Sequence, residues 1–229
     1  MQLLKNLLDT VSFITVPKVD ELWLSVEQTF YMLSVSGVIA FTLGLFFGVV
    51  LIVTKHNGIL ENKYIFTILS CVINLFRSIP FVILLAALIP FSRFVVGTAI
   101  GTVGAIVPLV VGTVPFFSRQ VESALSSVDR GLVEAAQSMG SSAVGIIFRV
   151  YLKESISHLV RVTQITAISL IGLTAMAGAI GGGGLGDFAI RYGHQRGQTD
   201  VTYVTVIVIL IMVAIIQSIG NAIIKKTTH

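Results

Sequence analysis

Residues Val95 to Phe117 read VVGTAIGTVGAIVPLVVGTVPFF and include no charged side chain. A helix needs about 20 mostly apolar residues to cross the hydrocarbon core of a bilayer, and this run is long enough. Gly97, Gly101, Gly104, Pro108 and Gly112 recur along one side at steps of three or four. Lipid supplies no hydrophobic force between helices, so association relies on close backbone approach, which small residues permit. Such a face predicts a packing seam, either within the chain, against another subunit or where helices move.

Further apolar runs lie on both sides of this one. They cover about Ser25 to Thr54 with Glu27 near the start, Tyr64 to Ile89 interrupted by Arg77 and Pro80, Ile156 to Ala179, and Val201 to Ile224. The chain is 229 residues long, 55% hydrophobic and 11% charged, with a mean hydropathy of +0.95. Soluble domains average about 25% charge. The expected fold is therefore an all-α polytopic membrane protein with five transmembrane helices. A surface segment, residues 1–24, precedes the membrane domain, residues 25–229. An amphipathic helix is expected at Leu3 to Phe13. The charges among the first 24 residues and the length of the run to Val53 argue against a cleavable signal peptide. The lone Cys71 sits in an apolar run and reads as a small buried residue.

Five spans put the termini on opposite sides. With the C-terminus inside, the inner segments hold Lys55, Lys63, Arg119, Arg130, Arg149, Lys153, Arg161, Lys225 and Lys226. The outer ones hold Lys5, Lys18, Arg93, Arg191 and Arg196. The excess favours N-out, C-in. The net charge of +4 thus follows membrane topology and does not imply nucleic acid. Small residues also mark Gly37, Gly44 and Gly48 in the first span. In the fourth, Thr166, Ser169, Gly172, Ala175 and Gly178 drift slowly round the helix.

The inner loop between spans three and four, about 118–155, is polar and patterned for helix. Asp129 can cap a helix in which Leu132, Ala135, Ala136 and Met139 form an apolar stripe. Gly140 suits the left-handed turn after it. Ser141 or Ser142 can cap a second helix through Ile146, Ile147 and Val150. The predicted product is a helix–glycine–helix elbow. Patterning alone leaves two readings of it open, a handle for another protein or a helix lying on lipid headgroups.

This elbow resembles the EAA loop of ABC importer permeases. Glu134, Ala135 and Ala136 are followed after three residues by Gly140, and the motif's later part falls on Val150, Tyr151, Leu152 and Lys153. Val150 stands for the family's Ile and Lys153 for its Pro. The segments Asn74 to Phe81, Leu88 to Phe91, Ala175 to Asp187 and Ala189 to Gly193 narrow the likeness to the methionine-import permeases, over roughly Trp23 to the C-terminus. The resemblance implies a homodimer, two ATPase subunits that carry ATP and Mg, and an extracytoplasmic substrate-binding protein, often a lipoprotein, that delivers methionine. It makes Glu134, Ala135, Ala136, Met139 and Gly140 candidates for coupling to the ATPase at the cytoplasmic membrane.

Gly181 to Gly186 contains G-x-G-x-x-G, but it follows a spanning helix and not a strand, so it does not signal a dinucleotide. These glycines end the fourth span. The loop after them is either a flexible turn or an outer surface for docking and gating. Gly181 and Gly183 are gate candidates; Asp187, Arg191 and Tyr192 are candidates for docking the binding protein. Arg77 lies within a span, where an ionised group marks a pathway by default. Alternatively it bonds carbonyls freed by Pro80, beside Asn74 and Ser78. Arg77, Ser78, Pro80 and Met176 are the remaining pathway candidates, and Met176 could equally be a packing residue. Glu134 falls off the apolar stripe, either solvated or paired with the ATPase.

No Ser-His-Asp set, Cys-x-x-Cys or phosphate-binding G-x-x-x-x-G-K-[ST] occurs. His56, His158, His194 and His229 lack metal-ligand spacing. The chain carries no catalytic, metal or cofactor site by this reading, and its partner would hydrolyse ATP. The expected function is the permease subunit of an ATP-driven methionine importer. The alternatives are another amino acid or a short peptide as substrate, or a stand-alone secondary transporter or channel. Against the last, the spans offer no midplane Asp or Glu for ion coupling.

Overall fold

The computed structural model describes residues 16–227. The amphipathic helix expected at Leu3 to Phe13 lies outside them. Among the described residues every regular element is helical. Apart from a single helical turn at Leu152–Glu154, the α-helices are α1 (Val16–Thr54), α2 (Lys63–Ser78), α3 (Phe81–Ala87), α4 (Ile89–Val96), α5 (Gly101–Leu125), α6 (Arg130–Ser138), α7 (Ala143–Ile146), α8 (Ile156–Ala177), α9 (Gly184–Phe188) and α10 (Thr199–Thr227). Wider π turns follow α7, α8 and α9 at Ile147–Tyr151, Gly178–Gly182 and Ala189–His194.

Among the described residues four stretches are long and apolar enough to cross a membrane: Val19–Thr54, Gly101–Leu125, Ile156–Gly182 and Thr199–Thr227. A fifth arises only if α2 and α3 count together, and they meet at 102°. The second apolar run is thus broken at Pro80, where the sequence places an interruption. Pro80 cannot donate a backbone hydrogen bond and biases the residue before it to extended backbone. Ile79 is extended there, with φ −85° and ψ 123°. The third run is also redistributed. Gly97 ends α4 at φ +78° and Gly101 opens α5 at φ +75°. These two glycines serve a turn, not a helix face, and α5 runs on to Leu125.

The core is a parallel pair, α1 beside α5. A methyl group on Gly44 would lie 2.7 Å from the Phe117 ring, and one on Gly48 would lie 2.5 Å from Val121 Cβ. Ile52 and Leu125, both fully buried, continue the seam. At the other end Met32 packs with Ala105 and Leu109. Since lipid is as apolar as these side chains, this seam gains mainly van der Waals contact. α8 returns antiparallel, burying Leu170 and Ala177 against the same pair. α10 is almost wholly on the periphery and presents Ile207, Leu210, Ile211 and Ile215 outward. Cys71 is exposed on α2 and not buried as expected, because only Ile73 of that helix is turned fully inward.

Arg119 ties the broken span to the core. Its guanidinium donates to Glu122 at 2.6 Å on α5 and to Asn74 Oδ1 at 3.2 Å on α2. The two ends of the bundle can be named for what they carry. One holds the elbow, α6 and α7, with the turn between α1 and α2. The other holds the glycine loop and α9.

Candidate functional site

The elbow folds as its sequence dictates. Asp129 Oδ1 accepts from the Gly131 amide at 2.7 Å, which satisfies one of the amides that have no partner within the helix. At the far end Ser141 N donates to Ala136 O at 3.0 Å across Gly140, whose φ is +76°. This is a Schellman closure, and a Cβ at that φ would be strained. Ser142 Oγ then accepts from Gly145 N at 3.2 Å and starts α7. Lys153, in the place of the resembled motif's proline, lies in a helical turn, Leu152–Glu154. The exit therefore stays helical, and buried Ser155 donates to Ala124 O at 3.3 Å.

The buried face of α6 differs from the predicted stripe. Val133 and Ala136 turn inward, onto the cluster that holds Ile52, Val121 and Leu125. Leu132, Ala135 and Met139 face out, and Met139 is 79% exposed. Val144 and Phe148 beyond Gly140 are exposed too. The elbow thus presents uncovered apolar side chains on both arms, a feature that marks interaction surfaces. Glu134 is solvated and pairs with Arg130 of its own helix at 3.1 Å, an exposed i,i+4 pair of small energetic weight. Burial raises the pKa of the Tyr151 hydroxyl behind the elbow, and nearby Arg130 partly opposes the rise.

The glycine loop is clamped, not loose. Gly181, Gly183 and Gly184 take φ of 95°, 76° and 77°, which folds α9 back onto the end of α8. A Cβ on Gly178 would sit 2.6 Å from Gly183 O, and one on Gly186 would strike Ala175 O. Two α1 side chains hold the returning chain. Gly184 N donates to Gln28 Oε1 at 2.7 Å and Leu185 N to Thr29 Oγ1 at 2.8 Å. Nothing in the local sequence of α1 announces this clamp. Asp187 and Arg191 pair at 3.0 Å on the surface. Tyr192 is buried against Phe188 and Val201, with Arg191 and Arg196 over its ring at 5.0 and 4.4 Å. Its side chain is thus core, whereas its charged neighbours remain accessible.

A cavity of about 320 Å³ opens at the break between α2 and α3, walled by α5 and α8. Arg77, Ile79 and Phe81 line it on one side, and Thr113, Phe116 and Ser169 on others. The residues from α5 and α8 come from the middle of those helices, so the cavity is at mid-depth. Arg77 makes no hydrogen bond or ion pair among the described residues. The Asn74 carbonyl is bonded by Ser78 Oγ at 2.8 Å instead. Ser78 and Pro80 shape the break without lining the cavity, and Met176 lies nearer the glycine loop, half-exposed. Thr113, which sequence reading passed over, is a polar residue in the third apolar run; that was the only signal for it.

Residues 40–227 match the family of binding-protein-dependent transport system inner membrane components. A probable D-methionine transport system permease protein of Vibrio cholerae is 46% identical over 88% of this chain and 90% of its own length. The methionine import system permease protein of Bacillus subtilis is 46% identical over 90% of this chain and 94% of its own. In an inward-facing structure of the MetNI methionine ABC transporter, one chain superposes with a TM-score of 0.92. The two are 41% identical, and the match covers 94% of this chain and all of that one.

Proposed function

Because the chain belongs to the family of binding-protein-dependent transport system inner membrane components, we propose that it is the permease subunit of an ATP-driven methionine importer. The observation that carries this reading is end-to-end likeness, in sequence and in fold, to methionine permeases. Two copies enclose a path along their interface, and two ATPase subunits bind ATP and Mg. An extracytoplasmic binding protein delivers methionine to the side that bears Asp187 and Arg191. The chain crosses the cytoplasmic membrane five times, with the broken α2–α3 pair as one crossing, N-out and C-in. Broken helices at membrane depth are tolerated where they are covered by protein or line a watery cavity, which supports that count.

The elbow couples the machine. ATP stabilises one arrangement of the ATPases over the other, and only such a difference in stabilisation moves an equilibrium. The exposed Leu132, Ala135 and Met139 seat α6 on the ATPase, while Val133 and Ala136 fix it to the α1–α5 core. Displacement of the elbow is therefore passed to two spans directly. Glu134 and Gly140 hold the elbow's shape and charge. Gly181 and Gly183 shape the gate beside Met176, and Arg77, Ser78 and Pro80 shape the path.

The test is ATP-driven methionine uptake by proteoliposomes containing the chain, its ATPase and its binding protein. Wild type should accumulate methionine. Leu132→Asp with Met139→Asp should abolish uptake and co-purification of the ATPase while the permease remains folded. Normal uptake by the double variant would remove the elbow from the mechanism. Uptake of other solutes without methionine would leave only the broader family function.

A further inference from the structure

We infer that the mid-depth cavity at the α2–α3 break is a carboxylate-binding station for a single apolar amino acid on its way through the permease. This rests on the reading of the chain as a methionine permease and adds where the substrate pauses and what holds it.

Three hydrogen-bond donors line this cavity and make no hydrogen bond among the described residues, Arg77, Thr113 and the more exposed Ser169; the first two carry the argument. Arg77 is the first. An unpaired guanidinium at membrane depth is costly and ordinarily faces a partner or water. Thr113 is the second: it is 2% exposed, and its Oγ1 has no hydrogen-bond partner. Threonine in a helix commonly returns its hydroxyl to the carbonyl four residues back, as Thr166 does to Val162 O at 2.8 Å on the facing helix. Thr113 does not, although burial makes an orphaned hydroxyl expensive. Donors without acceptors, and no carboxylate, in one lining call for an anion.

The rest of the wall is apolar. Phe76, Phe116 and Leu173 give it the mix of aromatic and aliphatic surface that suits a thioether. A volume of about 320 Å³ falls at the small end of ligand sites, with few polar groups placed among many apolar ones. The ligand that fits is a zwitterion with a small anionic head and an apolar tail. Its carboxylate takes the Arg77 guanidinium and, after rotation of the hydroxyl, Thr113. Its tail lies along Phe76 and Phe116. Its ammonium faces the last turn of α2, whose carbonyl end carries partial negative charge. The break at Pro80 opens the space that a continuous helix would fill.

The experiment uses the whole transporter in lipid nanodiscs and a photoreactive diazirine analogue of methionine, with labelled peptides mapped by mass spectrometry. Label should fall on the peptides holding Phe76 to Phe81 and Gly112 to Phe116. Excess methionine should remove it and methioninol, which lacks the carboxylate, should not. Arg77→Gln should cut labelling by about tenfold or more, the loss expected for a charge-assisted hydrogen bond. Thr113→Val should cut it severalfold, and Arg77→Lys should retain more than Arg77→Gln. Equal competition by methioninol, or undiminished labelling in Thr113→Val and Arg77→Gln, would overturn the station. If Arg77→Gln does not assemble, methioninol on the wild type and Thr113→Val still decide. Methionine uptake by the wild type in proteoliposomes is read in parallel. Uptake with no carboxylate-dependent label refutes the station alone, and absence of uptake refutes the permease reading beneath it.

Discussion

Replacing Thr29 with Val should loosen the glycine loop without disturbing the rest of the bundle. The Thr29 hydroxyl is fully used: it donates to Ser25 O at 2.9 Å and accepts from the Leu185 amide at 2.8 Å. Thr29 is 3% exposed and Leu185 1%, so no water replaces the lost acceptor. Valine keeps the shape and removes the oxygen. The Ser25 carbonyl loses only a supplementary bond, whereas the Leu185 N–H becomes a buried donor with no partner. That orphan costs about 1–3 kcal/mol. The neighbouring bond from Gly184 N to Gln28 Oε1 at 2.7 Å remains and limits the damage to α9. Hydrogen exchange on the assembled transporter should show protection of Gly184 to Phe188 falling by roughly fivefold to a hundredfold. Exchange across Ile52 to Leu125 should stay put. Thr29→Ser, which retains the oxygen, should behave as wild type. Unchanged exchange at Leu185 in Thr29→Val would mean that the loop is held by its glycine contacts alone, and the clamp argument would be wrong.

Gly48→Ala should destabilise the permease by about 1–3 kcal/mol in a thermal melt, because its methyl meets Val121 at 2.5 Å and Ser118 O at 2.9 Å. Gly37→Ala, whose nearest neighbour is the flexible Phe41 ring at 3.5 Å, should be tolerated; equal loss in both would refute the seam. Asp129→Ala removes the α6 cap and should cost about 1 kcal/mol, visible as faster exchange at Gly131; Asp129→Asn should restore most of it. The turn after α1 should loosen in acid. Glu61 is held below its ordinary carboxylate pKa by the His56 ring first and the Asn57 amide second. A depressed carboxylate contributes stability above its unfolded pKa and loses it as pH falls through the folded value. Asn57 amide protection should therefore drop in that acid range in wild type, with the step absent in Glu61→Gln. An identical acid step in both would assign it to another group.

What was legible in the sequence is what each segment decides locally. A run of apolar residues long enough to span must satisfy its own backbone in lipid, and only a helix does that within one segment. The all-helical architecture follows from that alone. The elbow was equally local: Asp129, Gly140 and Ser142 act on amides and carbonyls within a few residues of themselves, so their spacing gave their geometry. The Lys153 position, which departs from the resembled motif, simply continues the helix.

Tertiary structure decided how each helix is rotated. In water the apolar stripe of a helix points to the core, but in lipid both faces are apolar and hydropathy does not rank them. Hence Cys71 turned outward, and Gly97 and Gly101 served a turn. At the elbow, Val133 and Ala136 were chosen over Leu132 and Met139 by contact with the α1–α5 end, where Leu125 is near in the chain but Ile52 is remote. The cavity is the same kind of fact. Arg77 and Pro80 announced a break, but its partner Thr113 sits on another span, and only the packing of α2 against α5 brings a lone guanidinium and a lone hydroxyl to one space. Hydrogen bonding is local, so the helices and their caps are written in the chain; close packing is not, so only the assembled fold selects which faces meet.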